Sequence, residues 1–137
     1  MNFSYLLTPF TAWLVAGSIK FAINSIKARK LAFSLIGYGG LPSNHSAIVS
    51  SMVTLIGMKE GIAHPAFGVS VTLAFIVILD ANSLRRQIGK HAEAINRLND
   101  SGDQKLLRER VGHSRFEIVA GILTGVAVAA AIKLILG

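Results

Sequence analysis

The run Phe116–Leu136 constrains this chain more than any other feature. It is 21 residues long and holds no charged side chain between Glu117 and Lys133. A helix that is apolar on every side has no face to offer water, so it is either a buried core element or a membrane span. At a rise of 1.5 Å per residue it would extend about 32 Å, close to the bilayer's hydrocarbon thickness of about 30 Å. Three more apolar stretches precede it: Phe3–Phe21, interrupted by Pro9 and Gly17, then Ser43–Met58, then Ala66–Leu84. A spanning helix needs about 17 to 25 such residues. The second stretch is short by that measure, and it qualifies only if it packs inside a bundle with its first turn in a site.

Composition agrees. Hydrophobic residues make up 52% of the 137 residues and charged ones 15%, against about 25% charged in soluble domains. The length suits one domain, residues 1–137. With no cysteine, disulfides and thiolate metal sites are excluded. The first lysine, Lys20, follows the N-terminal apolar run instead of preceding it, so that run is expected to be a retained helix and not a cleavable signal. The expected fold is an all-α integral membrane protein with about four transmembrane helices in a compact bundle. A short interfacial segment is expected over Leu31–Leu41, ending in Gly37-Tyr38-Gly39-Gly40. A helical extension is expected over Arg85–Leu98, with Ile88, Ala92, Ile95 and Leu98 on one side and loop residues Asn99–Asp103 closing it.

The net charge of +7 would point to nucleic acid in a soluble protein. Here the basic residues lie between apolar segments, so the expected partners are the bilayer and anionic or phosphorylated lipids, with no role for nucleic acid. Segments 20–30 and 85–115 carry 12 of the 14 Lys and Arg residues, leaving only Lys59 and Lys133 for the other side. The positive-inside rule makes the crowded face cytoplasmic and places the protein in a bacterial-type inner membrane.

Alternating helices bring particular ends together. Lys20 closes the first segment, Pro42–His45 open the second, Asp80, Arg85 and Arg86 close the third, and His113–Glu117 open the fourth. All four ends fall on one face. In Pro42-Ser43-Asn44-His45 a glycine-rich approach runs into a helix start, where free N–H groups and the helix dipole favour an anion. Ser43 can donate to a phosphate oxygen and His45 can donate a proton; an ordinary N-cap explains the segment equally well. His113 and Glu117 are four apart, a spacing that lets a carboxylate fix an imidazole's tautomer and raise its basicity; an acidic first helical turn is the alternative. Asp80, inside an apolar segment, should pair with a nearby arginine and hold it for bidentate phosphate contact. Lys20 by itself is read as a snorkelling lysine, and His64 on the opposite face has no catalytic role. No H-x-x-x-H or H-E-x-x-H pair occurs, so no metal is expected. Gly121 and Gly125 form a small-xxx-small stripe that lets another helix approach closely, and they also offer a route to a homodimer.

These motifs resemble those of the type 2 phosphatidic acid phosphatase superfamily, which is related to vanadium haloperoxidases and carries K-x(6)-R-P, P-S-G-H and S-R-x(5)-H-x(3)-D. Pro42-Ser43-Asn44-His45 is similar to the second block with Asn44 for Gly, and His113 with Glu117 to the end of the third with Glu for Asp. Lys20 and Lys27 keep only the spacing of the first block. Leu107 stands where the third-block arginine should be, with Arg108 and Arg110 out of register. The order of motifs over about residues 16–126 looks most like the divergent bacterial and plastid branch. The resemblance implies a metal-independent and cofactor-free lipid phosphatase acting on a phosphate monoester or pyrophosphate. It implies that His113 attacks phosphorus, Glu117 orients it, His45 protonates the leaving group, and Ser43, Arg85, Arg86 and Lys20 hold the phosphate, with Asp80 and Asn44 in support. A rival register through Arg85 and His91 puts Ile95 in the acid's place. The alternatives are a non-catalytic lipid-phosphate binder or transporter, and a purely structural helical subunit.

Overall fold

The computed structural model describes residues 3–29, 31, 40–98, 106–109 and 111–137. Most of the interfacial segment expected over Leu31–Leu41, the loop Asn99–Asp103 and Arg110 lie outside the described residues. Within them the chain is all α: α1 is Ser4–Ala28, α2 Asn44–Lys59, α3 Pro65–Leu79, α4 Arg85–Leu98 and α5 Arg115–Leu136, with a π-helical turn, Asp80–Leu84, joining α3 to α4.

Among the described residues, three helices are long and apolar enough to cross a membrane: α1, the continuous Pro65–Leu98 and α5. Of the four spans expected, α2 falls short of that length. Its 16 residues extend about 24 Å. It is instead the bundle's centre, packing against α1, α3 and α5 and burying Ser46, Ala47, Val49, Ser50, Ser51, Leu55 and Ile56. Its neighbours meet it with small side chains. On α1, Ser4, Thr8, Ala12 and Ala16 recur every fourth residue and all four are buried. On α5, Gly121 and Gly125 are buried against it. A Cβ on Gly125 would stand 2.1 Å from Ser50 Oγ and 2.4 Å from the Ala47 carbonyl oxygen. The small-residue stripe of α5 thus faces α2, the close helix approach expected of it. Interior hydroxyls bond to their own helices: Thr8 Oγ1 donates to Ser4 O at 2.7 Å and Ser50 Oγ to Ser46 O at 2.6 Å. Large apolar side chains such as Phe10, Trp13, Phe75 and Leu123 lie on the outside, as a lipid-facing surface requires.

One boundary and one helix face differ from the sequence reading. α1 runs through Pro9 and Gly17 and on to Ala28, where Arg29 turns left-handed at φ 50°. Lys20 therefore sits two turns before the helix end. On α4, Ala92 is buried while Ile88, Ile95 and Leu98 are exposed, so the four do not share one environment.

The far end of the bundle holds the chain reversals together. Lys59 Nζ donates to Ser4 Oγ at 3.2 Å and to Gly137 O at 3.0 Å, Lys133 Nζ donates to Met58 O at 2.7 Å, and Tyr5 donates to Glu60. His64 caps α3 by accepting from Ala66 N–H at 3.2 Å, ahead of Pro65 at the first helical position. The starts of α1 and α3 and the ends of α2 and α5 thus share this end, which leaves Ser43, Asp80 and His113 to the opposite one.

Candidate functional site

At that opposite end the start of α5 is built around one carboxylate. Ser114 is the N-cap: its Oγ accepts from Glu117 N–H at 3.2 Å, and Glu117 Oε2 accepts from Ser114 N–H at 2.9 Å, a reciprocal capping box. The same Oε2 lies 3.2 Å from His113 Nδ1. His113 precedes the helix, so the pair does not meet across a helical face as the four-residue spacing suggested. It meets because the carboxylate folds back over the cap, and the helix-start and histidine-orienting readings of Glu117 are both realised. Both residues are buried, at 8% and 9% exposure. With Nδ1–H donated to Glu117, the lone pair of His113 is on Nε2.

The π-turn fixes the other side of His113. The Arg85 N–H reaches back five residues to Asp80 O, and the Ala81 carbonyl accepts the His113 N–H at 3.0 Å. Gly112 makes that approach feasible. At φ 98°, it lies where a Cβ would be 3.2 Å from Arg86 N and 3.4 Å from Ala81 O. The turn also sets Arg85 so that its Nε donates to Asp80 Oδ2 at 2.8 Å, leaving the terminal guanidinium nitrogens for another acceptor. Arg86, by contrast, is exposed, with its Cγ beside Gly112. π-turns inside helices are frequent at functional sites, and nothing in the residue pattern of Asp80–Leu84 signals one. Ala81 and Gly112 were missed for that reason, although the glycine immediately before His113 was a usable hint.

α2 supplies the third wall. The Ser43 N–H donates to Glu117 O at 2.9 Å, tying the start of α2 to the start of α5. Ser43 is fully buried. Its Oγ is the α2 N-cap, accepting from Ser46 N–H at 3.3 Å and from Ser46 Oγ at 3.1 Å. The ordinary cap is therefore what the geometry displays for Ser43. The His45 ring is exposed and faces His113 with centroids 6.3 Å apart. Asn44 turns toward α1, its Nδ2 3.6 Å from where a Cβ on Gly17 would stand. The loop into α2 passes α1 at Gly40, where a Cβ would meet Asn24 Oδ1 at 3.4 Å and Lys20 Cγ at 4.0 Å. His91 lies exposed on α4.

Electrostatics tie these groups together. Burial holds the His113 imidazole below its ordinary value; its hydrogen bond to Glu117 opposes this, and the positive charges of Lys20 and Arg85 add to it. Lys20, Arg85 and Glu117 therefore all lie close enough to His113 to act on its charge. The group offers a neutral imidazole with a fixed tautomer, a second imidazole across from it and two cations. That set suits in-line displacement at an anionic phosphorus centre.

Known proteins bear on this geometry. A family model described as "Divergent PAP2 family" matches residues 1–128. The uncharacterized membrane protein YuiD of Bacillus subtilis (strain 168) is 36% identical over 139 residues, covering 88% of each chain. No solved structure matches the chain. With nearly the whole length covered, and with His45, Arg85, His113 and Glu117 gathered at one end of an apolar helical bundle, the chain belongs to the divergent PAP2 family of membrane proteins.

Proposed function

We propose that this protein is a lipid phosphatase that hydrolyses a phosphate monoester or pyrophosphate on a membrane lipid through a phosphohistidine intermediate. The observation that carries the reading is the buried His113–Glu117 pair, 3.2 Å apart, with the His45 ring 6.3 Å across from His113. His113 Nε2 attacks phosphorus as the bond to the lipid oxygen breaks, and His45 gives its proton to that oxygen. Water then attacks the phosphorus, giving a proton to His45 and so restoring it, the P–N bond breaks, and inorganic phosphate leaves. Glu117 stabilises the imidazolium that forms in the first step. Arg85, held by Asp80, and Lys20 offset the charge on the phosphoryl oxygens. The basic segments 20–30 and 85–115 support a site facing the cytoplasmic leaflet of a bacterial-type inner membrane.

Purified protein should release inorganic phosphate from a panel of lipid phosphates: phosphatidic acid, phosphatidylglycerophosphate and polyprenyl pyrophosphate. His113→Ala should abolish release and leave the helical content unchanged. Release that persists in His113→Ala refutes the mechanism.

A second reading is a non-catalytic lipid-phosphate binding or transport protein. Two observations favour it: Ser43 is fully buried behind its own capping bonds, and Leu107 occupies the place of an arginine. Wild-type protein that binds the lipid phosphates without turning any of them over would establish it.

A further inference from the structure

α4 has three sides. At about 100° per residue, Ile88, Ile95 and Leu98 fall within about 80° of one another, with the exposed His91 between Ile95 and Leu98. Gly89, Ala92 and Asn96 form the adjacent sector, and Arg86, Lys90, Glu93 and Arg97 the far one. The second sector is already covered by the returning chain. A Cβ on Gly89 would stand 2.3 Å from Glu109 O. Asn96 brackets Leu107, donating to its carbonyl at 2.8 Å and accepting from its N–H at 2.8 Å. The first sector is uncovered: Ile88 is 49% exposed, Ile95 53% and Leu98 84%. Leu106 and Leu107 on the returning chain are exposed as well.

We infer that the helix bends at the π-turn Asp80–Leu84, a place where kinks form, so that α4 lies in the plane of the membrane interface, with Ile88, Ile95, Leu98, Leu106 and Leu107 seated in the headgroup–acyl boundary of an anionic leaflet. Two observations select lipid as the occupant. The stripe continues the outer surface of α3, where Phe75, Ile76 and Leu79 are exposed on a membrane-spanning helix, through the exposed Leu84. The far sector carries three cations, Arg86, Lys90 and Arg97, against one carboxylate, Glu93. An apolar stripe opposite a basic face on a helix of low overall hydrophobicity is the pattern of an interfacial helix. A helix that simply continued the span outward would leave the whole stripe in water. Because α4 begins at Arg85, this seating also fixes Arg85 at headgroup depth. The inference does not depend on the phosphatase reading.

The chain has no cysteine, so single nitroxide labels can be placed on the full protein at Ile88→Cys, Ile95→Cys and Lys90→Cys. The labelled proteins are reconstituted in vesicles of phosphatidylcholine with phosphatidylglycerol, and separately in phosphatidylcholine alone. In the anionic vesicles, labels at 88 and 95 should be relaxed more by oxygen than by an aqueous nickel chelate, and the label at 90 the reverse. That contrast should shrink in phosphatidylcholine alone. Labels at 88 and 95 as open to nickel as the label at 90 would overturn the seating. Labels shielded from both reagents and broadened by spin–spin coupling would show that a second copy covers the stripe, which also overturns it. An equal contrast in both vesicle types would overturn the anionic preference.

Discussion

Gly121 and Ser43 are in backbone contact: a Cβ on Gly121 would stand 2.4 Å from the Ser43 carbonyl oxygen. The site depends on this approach, because it lets the Ser43 N–H reach Glu117 O at 2.9 Å and so sets His45 opposite His113. Gly121→Ala should force α2 away from α5. Overpacking of this kind costs about 1–3 kcal/mol, and phosphate release should fall with it. Gly68→Ala is the control: nothing lies within 4 Å of its Cβ position, and replacing a helical glycine gains up to about 1 kcal/mol. Thermal or denaturant unfolding in detergent should order the variants Gly68→Ala, wild type, Gly121→Ala from most to least stable. A Gly121→Ala protein as stable and active as wild type would refute the close-approach account.

Glu117→Gln separates the two tasks of that carboxylate. Glutamine is accepted at the third position of a capping box, so α5 should still start at Arg115 and the helical content should hold. The negative charge next to the imidazole is gone, however, and with it the stabilisation of His113 as it acquires charge. Turnover should drop by about 10²-fold or more, mainly in kcat. A variant that loses helicity along with activity would mean that the carboxylate matters only as a cap.

Much of this was legible in the residues, and what was not has identifiable causes. Phe116–Leu136 is apolar enough to announce a span from its pattern alone, and the alternation of helix ends brought Lys20, His45, Arg85 and His113 to one face before any coordinates. The spacing of His113 and Glu117 forecast their contact but not its route, because the backward fold of Glu117 over Ser114 depends on the cap and not on helical periodicity. Ser43 reads equally as a phosphate donor and as an N-cap, since the residue type is preferred there, and the structure forms the cap, its Oγ accepting from Ser46. The π-turn at Asp80–Leu84 left no trace in composition, since an inserted residue does not alter an apolar run. It is nevertheless what separates Arg85 from Arg86, two residues that the sequence presents as equals.

That separation makes the two arginines distinguishable. Arg85 pairs with Asp80 at 2.8 Å and is about one-third exposed, 37% by its side chain, whereas Arg86 is exposed beside Gly112. Arg85→Ala should weaken binding of a lipid phosphate or of vanadate by about tenfold or more, since a charge-assisted hydrogen bond contributes about 1.5–3 kcal/mol. Asp80→Asn should produce a smaller loss, expressed in KM, because the guanidinium is then present but no longer held. Arg86→Ala should stay within about 0.5 kcal/mol of wild type. Equal losses at the two positions would show that both arginines reach the phosphate.

The pH dependence follows from His113. Burial pushes its pKa below the ordinary 6.5, with Lys20 and Arg85 adding to the shift and Glu117 opposing it. In the proposed mechanism the neutral imidazole is the nucleophile, so turnover limited by this group should hold at neutral pH and fall only as pH drops below 6.5 towards the folded value. Stability follows the same sign: above 6.5 neither state protonates this group, while below it the unfolded chain takes up a proton that the folded one resists, and folding weakens. Two variants test the causes in opposite directions. Glu117→Gln removes the opposing influence and should move the transition to lower pH. Lys20→Met removes a nearby cation and should move it higher. The rate of carbethoxylation of His113, followed by mass spectrometry across pH, reads the neutral imidazole directly and needs no turnover. Transitions that coincide in all three proteins would mean that neither Glu117 nor Lys20 acts electrostatically on His113.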